Sequence, residues 1–64
     1  MAPDSVLVDA RQLASGTIAS LTGQNKYEAI DQIRVEFMTF VEGRLGQYTT
    51  WQDAWNDFWP KSGD

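Results

Sequence analysis

Asn25-Lys26-Tyr27-Glu28-Ala29-Ile30-Asp31-Gln32-Ile33-Arg34-Val35-Glu36-Phe37-Met38-Thr39-Phe40-Val41-Glu42-Gly43-Arg44-Leu45-Gly46 is the stretch that decides the fold. Tyr27, Ile30, Ile33, Phe37, Met38, Phe40, Val41 and Leu45 recur at helical spacing and cover an arc of about 160° on a wheel of 100° per residue. Asn25 with Glu28 resembles a capping box, and Gly46 is a plausible stop. The spacing therefore predicts an amphipathic helix from about Lys26 to Leu45. Arg44 also falls within the apolar arc, in the last turn, where a cation suits the helix dipole.

Upstream, Val6, Leu7, Ala10, Leu13, Ala14, Ile18 and Leu21 share an arc of about 140°. A helix from about Val6 to Leu21 follows, with Asp4 or Ser5 as N-cap and Gly23 as the stop. Gly16 weakens its interior by roughly 1 kcal/mol relative to Ala and marks a candidate kink or break near Ser15-Gly16. Val8, Ala19 and Val35 fall outside the apolar arcs and are expected at the surface. Downstream, Thr50 can cap a short helix from Trp51 to Trp59, Thr49 with Gln52 being an equally lawful register. Pro60 ends it by disfavouring helical geometry at Trp59, which leaves 60–64 as an expected flexible tail.

Loops of about four residues imply antiparallel neighbours. The fold expected is all-α: one helical domain over residues 1–64, either a small three-helix bundle or a helical hairpin with a short third helix. A chain of sixty-four residues buries only about 60% of the surface it exposes when unfolded. With no Cys and no His, neither a disulfide, a thiolate zinc site nor a histidine ligand is available as a staple. Association with a second copy, as a homodimer, or with another protein becomes the natural substitute.

The same absences constrain chemistry. Serine and threonine hydroxyls have no imidazole to activate them. Asp53 and Asp57 lie one turn apart, a spacing that can divide acid and base roles or hold a hard cation. There is, however, no calcium-loop motif and no glycine-rich phosphate cradle. No enzyme activity, cofactor, metal or small-molecule substrate is expected. Nine acidic residues against five basic give a net charge of −4. The bases are scattered, which disfavours both direct nucleic-acid binding and docking on an anionic membrane. No apolar run approaches the ~20 residues that span a bilayer. Met1-Ala2-Pro3-Asp4 has no basic or apolar leader character, so the cytoplasm is the expected location.

The candidate site is Trp51-Gln52-Asp53-Ala54-Trp55-Asn56-Asp57-Phe58-Trp59. Trp51, Ala54, Trp55 and Phe58 share one face, Trp59 lies at its margin, and Asp53 and Asp57 lie opposite. An amphipathic aromatic helix can seat bulky anchors in a partner groove, and Trp is over-represented among binding hot spots. A helix this short also needs large side chains simply to dock on its neighbours. Mid-helix Arg34 falls inside the apolar arc. It is suited to pair with a partner carboxylate or to snorkel, with its stem packed and its head on water or Asp31. Trp55, Trp59, Asp53, Asp57 and Arg34 are therefore the candidate partner-binding residues. The function expected is that of a small accessory protein that binds another protein as an inhibitor or modulator, of a kind common among phages and mobile elements. The alternative is a structural homo-oligomer with no separate partner.

Overall fold

In the computed structural model, residues 4–59 are described. The chain is all-α, with α1 (Ser5–Arg11), α2 (Ser15–Thr22), α3 (Tyr27–Glu42) and α4 (Trp51–Phe58). The expected tail at 60–64 lies outside the described residues.

Two starts follow the caps read from sequence. The Asp4 Oδ1 accepts the Val6 N–H at 2.9 Å and opens α1. The Thr50 hydroxyl accepts the Asp53 N–H at 3.2 Å and opens α4, which selects Thr50 over Thr49. In each case a short polar side chain satisfies a backbone donor that the first turn leaves orphaned. Gly23 closes α2 at φ 75°, a left-handed geometry that costs glycine little.

Three expectations need correction. The capping box at Asn25 does not form: Lys26 occupies the N-cap of α3 and no side chain caps it. The long helix ends at Glu42 rather than Leu45. Gly43 is a poor helix former, and the Arg44 Nη1 donates to the Phe40 carbonyl at 3.3 Å, satisfying one of the carbonyls freed at the helix end. The chain then turns through Gly46, at φ 86°. Finally, the candidate break in the first helix is present, dividing it into α1 and α2, but it falls earlier than Ser15-Gly16. The break lies at Gln12–Ala14, just before Gly16, which sits in the first turn of α2.

Asp4, before α1, meets Gly46, beyond α3, and Leu13, after α1, meets the middle of α3 at Arg34. The two helices are therefore antiparallel. α1 and α4 pack on α3 and on each other, whereas α2 packs on α3. The result is a slab of 38 × 25 × 15 Å.

Its core is Val6, Ala10, Ile18, Ile30, Ile33, Phe37, Val41, Ala54, Trp55 and Phe58. These come from the apolar arcs of all the helices, and no polar residue is buried among the described ones. Phe37, fully covered, sits at the centre. The ring of Trp55 meets it edge-on at 4.8 Å and 82°, and Phe58 approaches to 5.2 Å. Such pairs add about 0.5–1.5 kcal/mol beyond the area they bury. The ends of the arcs fray outward: Tyr27, Leu21 and Leu45 are exposed, as are Val8 and Val35. Ala19, outside the apolar arc, is half-buried and packs against the core, which its small side chain allows. No helix among the described residues is long and apolar enough to cross a membrane.

Candidate functional site

A chain of aromatic rings runs from the buried face of α4 out to its C-terminal margin, the end of α3 and the α3–α4 loop. Trp59 stacks on Trp55 at 5.9 Å and 19°. It also meets Phe58 at 6.3 Å. Phe58 in turn meets Phe40 at 5.4 Å, and Phe40 stacks on Tyr48 at 6.0 Å and 23°. The inner members, Trp55 and Phe58, are buried, whereas Trp59, Phe40 and Tyr48 are half-buried. Trp55 is 5% exposed, so the structure places it in the core, with Trp59 covering one of its faces. The margin of the helix, not its centre, presents tryptophan to the outside.

Helical periodicity explains this division. Ala54, Trp55 and Phe58 occupy the face of α4 that meets the rest of the bundle. Trp59 follows the last turn in extended geometry, with its N–H still bonded to the Trp55 carbonyl at 2.8 Å. That bond holds the main chain while the indole folds back along the helix.

Polar groups edge the rings. The Tyr48 hydroxyl donates to the Asp57 Oδ2 at 2.7 Å, which ties the α3–α4 loop to the outer face of α4. This hydrogen bond, desolvation and the carboxylate charge raise the Tyr48 phenol above its ordinary value, while Arg44 opposes the shift. The Arg44 guanidinium lies 4.1 Å from the centre of the Phe40 ring, a cation–π contact within the chain. Asp53 and Asp57 are both exposed, as sequence placed them.

Arg34 is elsewhere. Its Nη2 donates to the Leu13 carbonyl and to the Ser15 Oγ, both at 3.0 Å. Its Nη1 reaches Asp31 at 3.4 Å, the neighbour that the snorkelling geometry named. None of these bonds goes to α4. The structure thus places Trp55, Asp53 and Asp57 on α4 and Trp59 just beyond its end, and places Arg34 at the α1–α2 joint. Sequence reasoning missed Phe40, Tyr48 and Arg44. The signals were present, since Phe40 and Arg44 are one turn apart and Tyr48 lies just ahead of the capped helix, but helical spacing within Trp51–Trp59 does not reach residues on another element.

Among the described residues no group of three or more acidic side chains converges as a metal site would require. Compared with known proteins, the chain matches no family model, no curated protein and no solved structure.

Proposed function

We propose that this chain is a small accessory protein that acts by binding another protein, as an inhibitor or modulator. The observation that carries the reading is the half-covered aromatic edge of Trp59, Phe40 and Tyr48, built on buried Trp55 and Phe58. Hot spots favour large, rigid aromatic side chains that lose little conformational freedom on binding. The supporting rings already fix the geometry of these three, which lowers the ordering cost of association. Asp57 borders the edge through Tyr48, with Asp53 exposed one turn before it on the same helix, on a chain of net charge −4. The complementary partner therefore presents an apolar depression with basic residues around it.

The test begins with a photo-reactive benzophenone side chain at position 59, with position 35 on exposed Val35 as control, to capture the partner in the cells that make the protein. The affinity of the purified pair is then measured for wild type and for Trp59→Ala. A hot-spot Trp59 costs roughly 2 kcal/mol or more, about a thirty-fold loss. Unchanged affinity in a Trp59→Ala protein that melts normally removes this edge from consideration. Light scattering across a dilution series addresses self-association: a dimer that persists to low micromolar concentration, and dissociates in Trp59→Ala, assigns the edge to a second copy instead.

A further inference from the structure

The segment between α1 and α2, Gln12-Leu13-Ala14, consists of good helix formers. No proline or glycine lies within it. Val6, Ala10 and Ile18, the buried residues on its two sides, would share one face of a continuous helix. Gly16, two residues on, weakens helical geometry by only about 1 kcal/mol, yet Ala14 is extended at φ −71° and ψ 152°.

The bonds around the break point in one direction. Leu13 has its N–H on the Ala10 carbonyl at 3.3 Å, a tightened final turn. Its carbonyl accepts from the Arg34 Nη2 instead of from a residue further along a helix. Ser15 is a residue type that caps helices well. Here Ala14 takes the N-cap position without a side-chain bond, and the Ser15 hydroxyl accepts from the same Arg34 nitrogen. One guanidinium thus occupies a carbonyl of the joint just after α1 and the hydroxyl that begins α2. The Arg34 side chain is 19% exposed, and its Nε is buried without a partner.

The geometry points to Arg34 as a latch that breaks one helix into two: with the latch released, Ser5 to Thr22 forms a single continuous helix antiparallel to α3. The guanidinium suits this role because its planar fork can hold the α1–α2 joint and Asp31 from one position. Since α1 also packs on α4, straightening the joint changes how α1 meets α4. This inference concerns the joint alone and stands independently of any partner.

Arg34→Met retains the stem and removes the donors. Backbone chemical shifts and medium-range NOEs at Gln12, Leu13 and Ala14 give the readout. The latch predicts that these three become helical in Arg34→Met and that slow amide exchange extends through them. Gly16→Ala is the control for propensity. A Cβ there meets nothing within 4 Å, so that variant gains helix propensity but keeps the break because the latch remains. If Arg34→Met does not fold, Ser15→Ala carries the test by removing one of the two joint acceptors, and a measurable helical shift at 12–14 is expected. Residues 12–14 that remain non-helical in the folded Arg34→Met protein, or in Ser15→Ala where it takes over, overturn the proposal and assign the break to packing of α1 on α4. A break abolished by Gly16→Ala alone overturns it as well, because propensity would then decide the joint.

Discussion

The carboxylate of Asp4 accepts two backbone N–H groups, that of Val6 through Oδ1 at 2.9 Å and that of Gly46 through Oδ2 at 2.8 Å. The second bond spans forty-two positions of sequence, so one side chain opens α1 and holds the α3–α4 loop. Asp4→Ala is expected to lose about 1–3 kcal/mol, combining a helix cap with a charge-assisted bond. In a domain of this size each kcal/mol lowers Tm by about 4–8 °C. Asp4→Asn, which keeps a cap oxygen, should fall between wild type and alanine. Thermal melts at neutral pH check the order.

Gly46 and Gly16 should respond oppositely to the same substitution. Gly46 sits at φ 86°, where a Cβ crowds the following carbonyl, so Gly46→Ala is expected to destabilise by about 1–2 kcal/mol. Gly16 is helical with open space around it, and Gly16→Ala should stabilise by about 0.5–1 kcal/mol. Urea unfolding of both variants reads the signs directly.

The Tyr48–Asp57 bond makes stability depend on alkaline pH. The phenol is raised in the folded chain, first by its bond to Asp57. Folding thus favours the protonated form, and between the unfolded and folded values the native state holds more protons than the unfolded chain. Stability from this bond is full below the ordinary phenol range of about 10 and is lost as pH rises through the raised folded value. Ultraviolet titration of Tyr27→Phe isolates Tyr48. Adding Asp57→Ala should move its titration down, towards the ordinary value.

Trp55 and Trp59 stack on each other but should differ sharply when truncated. Trp55 is buried against Phe37, and Trp55→Ala is expected to cost about 3–5 kcal/mol. That is comparable to the roughly 3–5 kcal/mol a core this small supplies, so the variant should be largely unfolded at 25 °C. Trp59 is half-buried, and Trp59→Ala should cost about 1–2 kcal/mol and stay folded. Circular dichroism melts separate the two.

Much of the core was legible because burial follows periodicity. Ile30, Ile33, Phe37 and Val41 occupy the arc that the wheel assigns to them. The two side-chain caps at Asp4 and Thr50 were legible for the same local reason, a short acceptor next to orphan donors. Asn25 misled because the capping pattern is permissive: the residues allow the box, while the loop geometry puts Lys26 at the cap instead. Of the candidate site, Trp59 and the acidic side of α4 were legible from helical spacing. The division of labour between Trp55 and Trp59 was not, since it depends on how much surface α1 and α3 can cover.

The sequence by itself determined the helical class, the apolar face of each helix and, to within a residue, where α1 and α4 start, at Asp4 or Ser5 and at Thr49 or Thr50. All of these arise from interactions within a turn or two of chain. Only the tertiary structure decided that the first helix is two, that Asp4 reaches Gly46 and that Phe40 and Tyr48 join Trp59 in one aromatic edge. Arg34 and Leu13 are twenty-one positions apart. Whether a guanidinium meets that carbonyl depends on how α3 lies across α1, which no local propensity encodes.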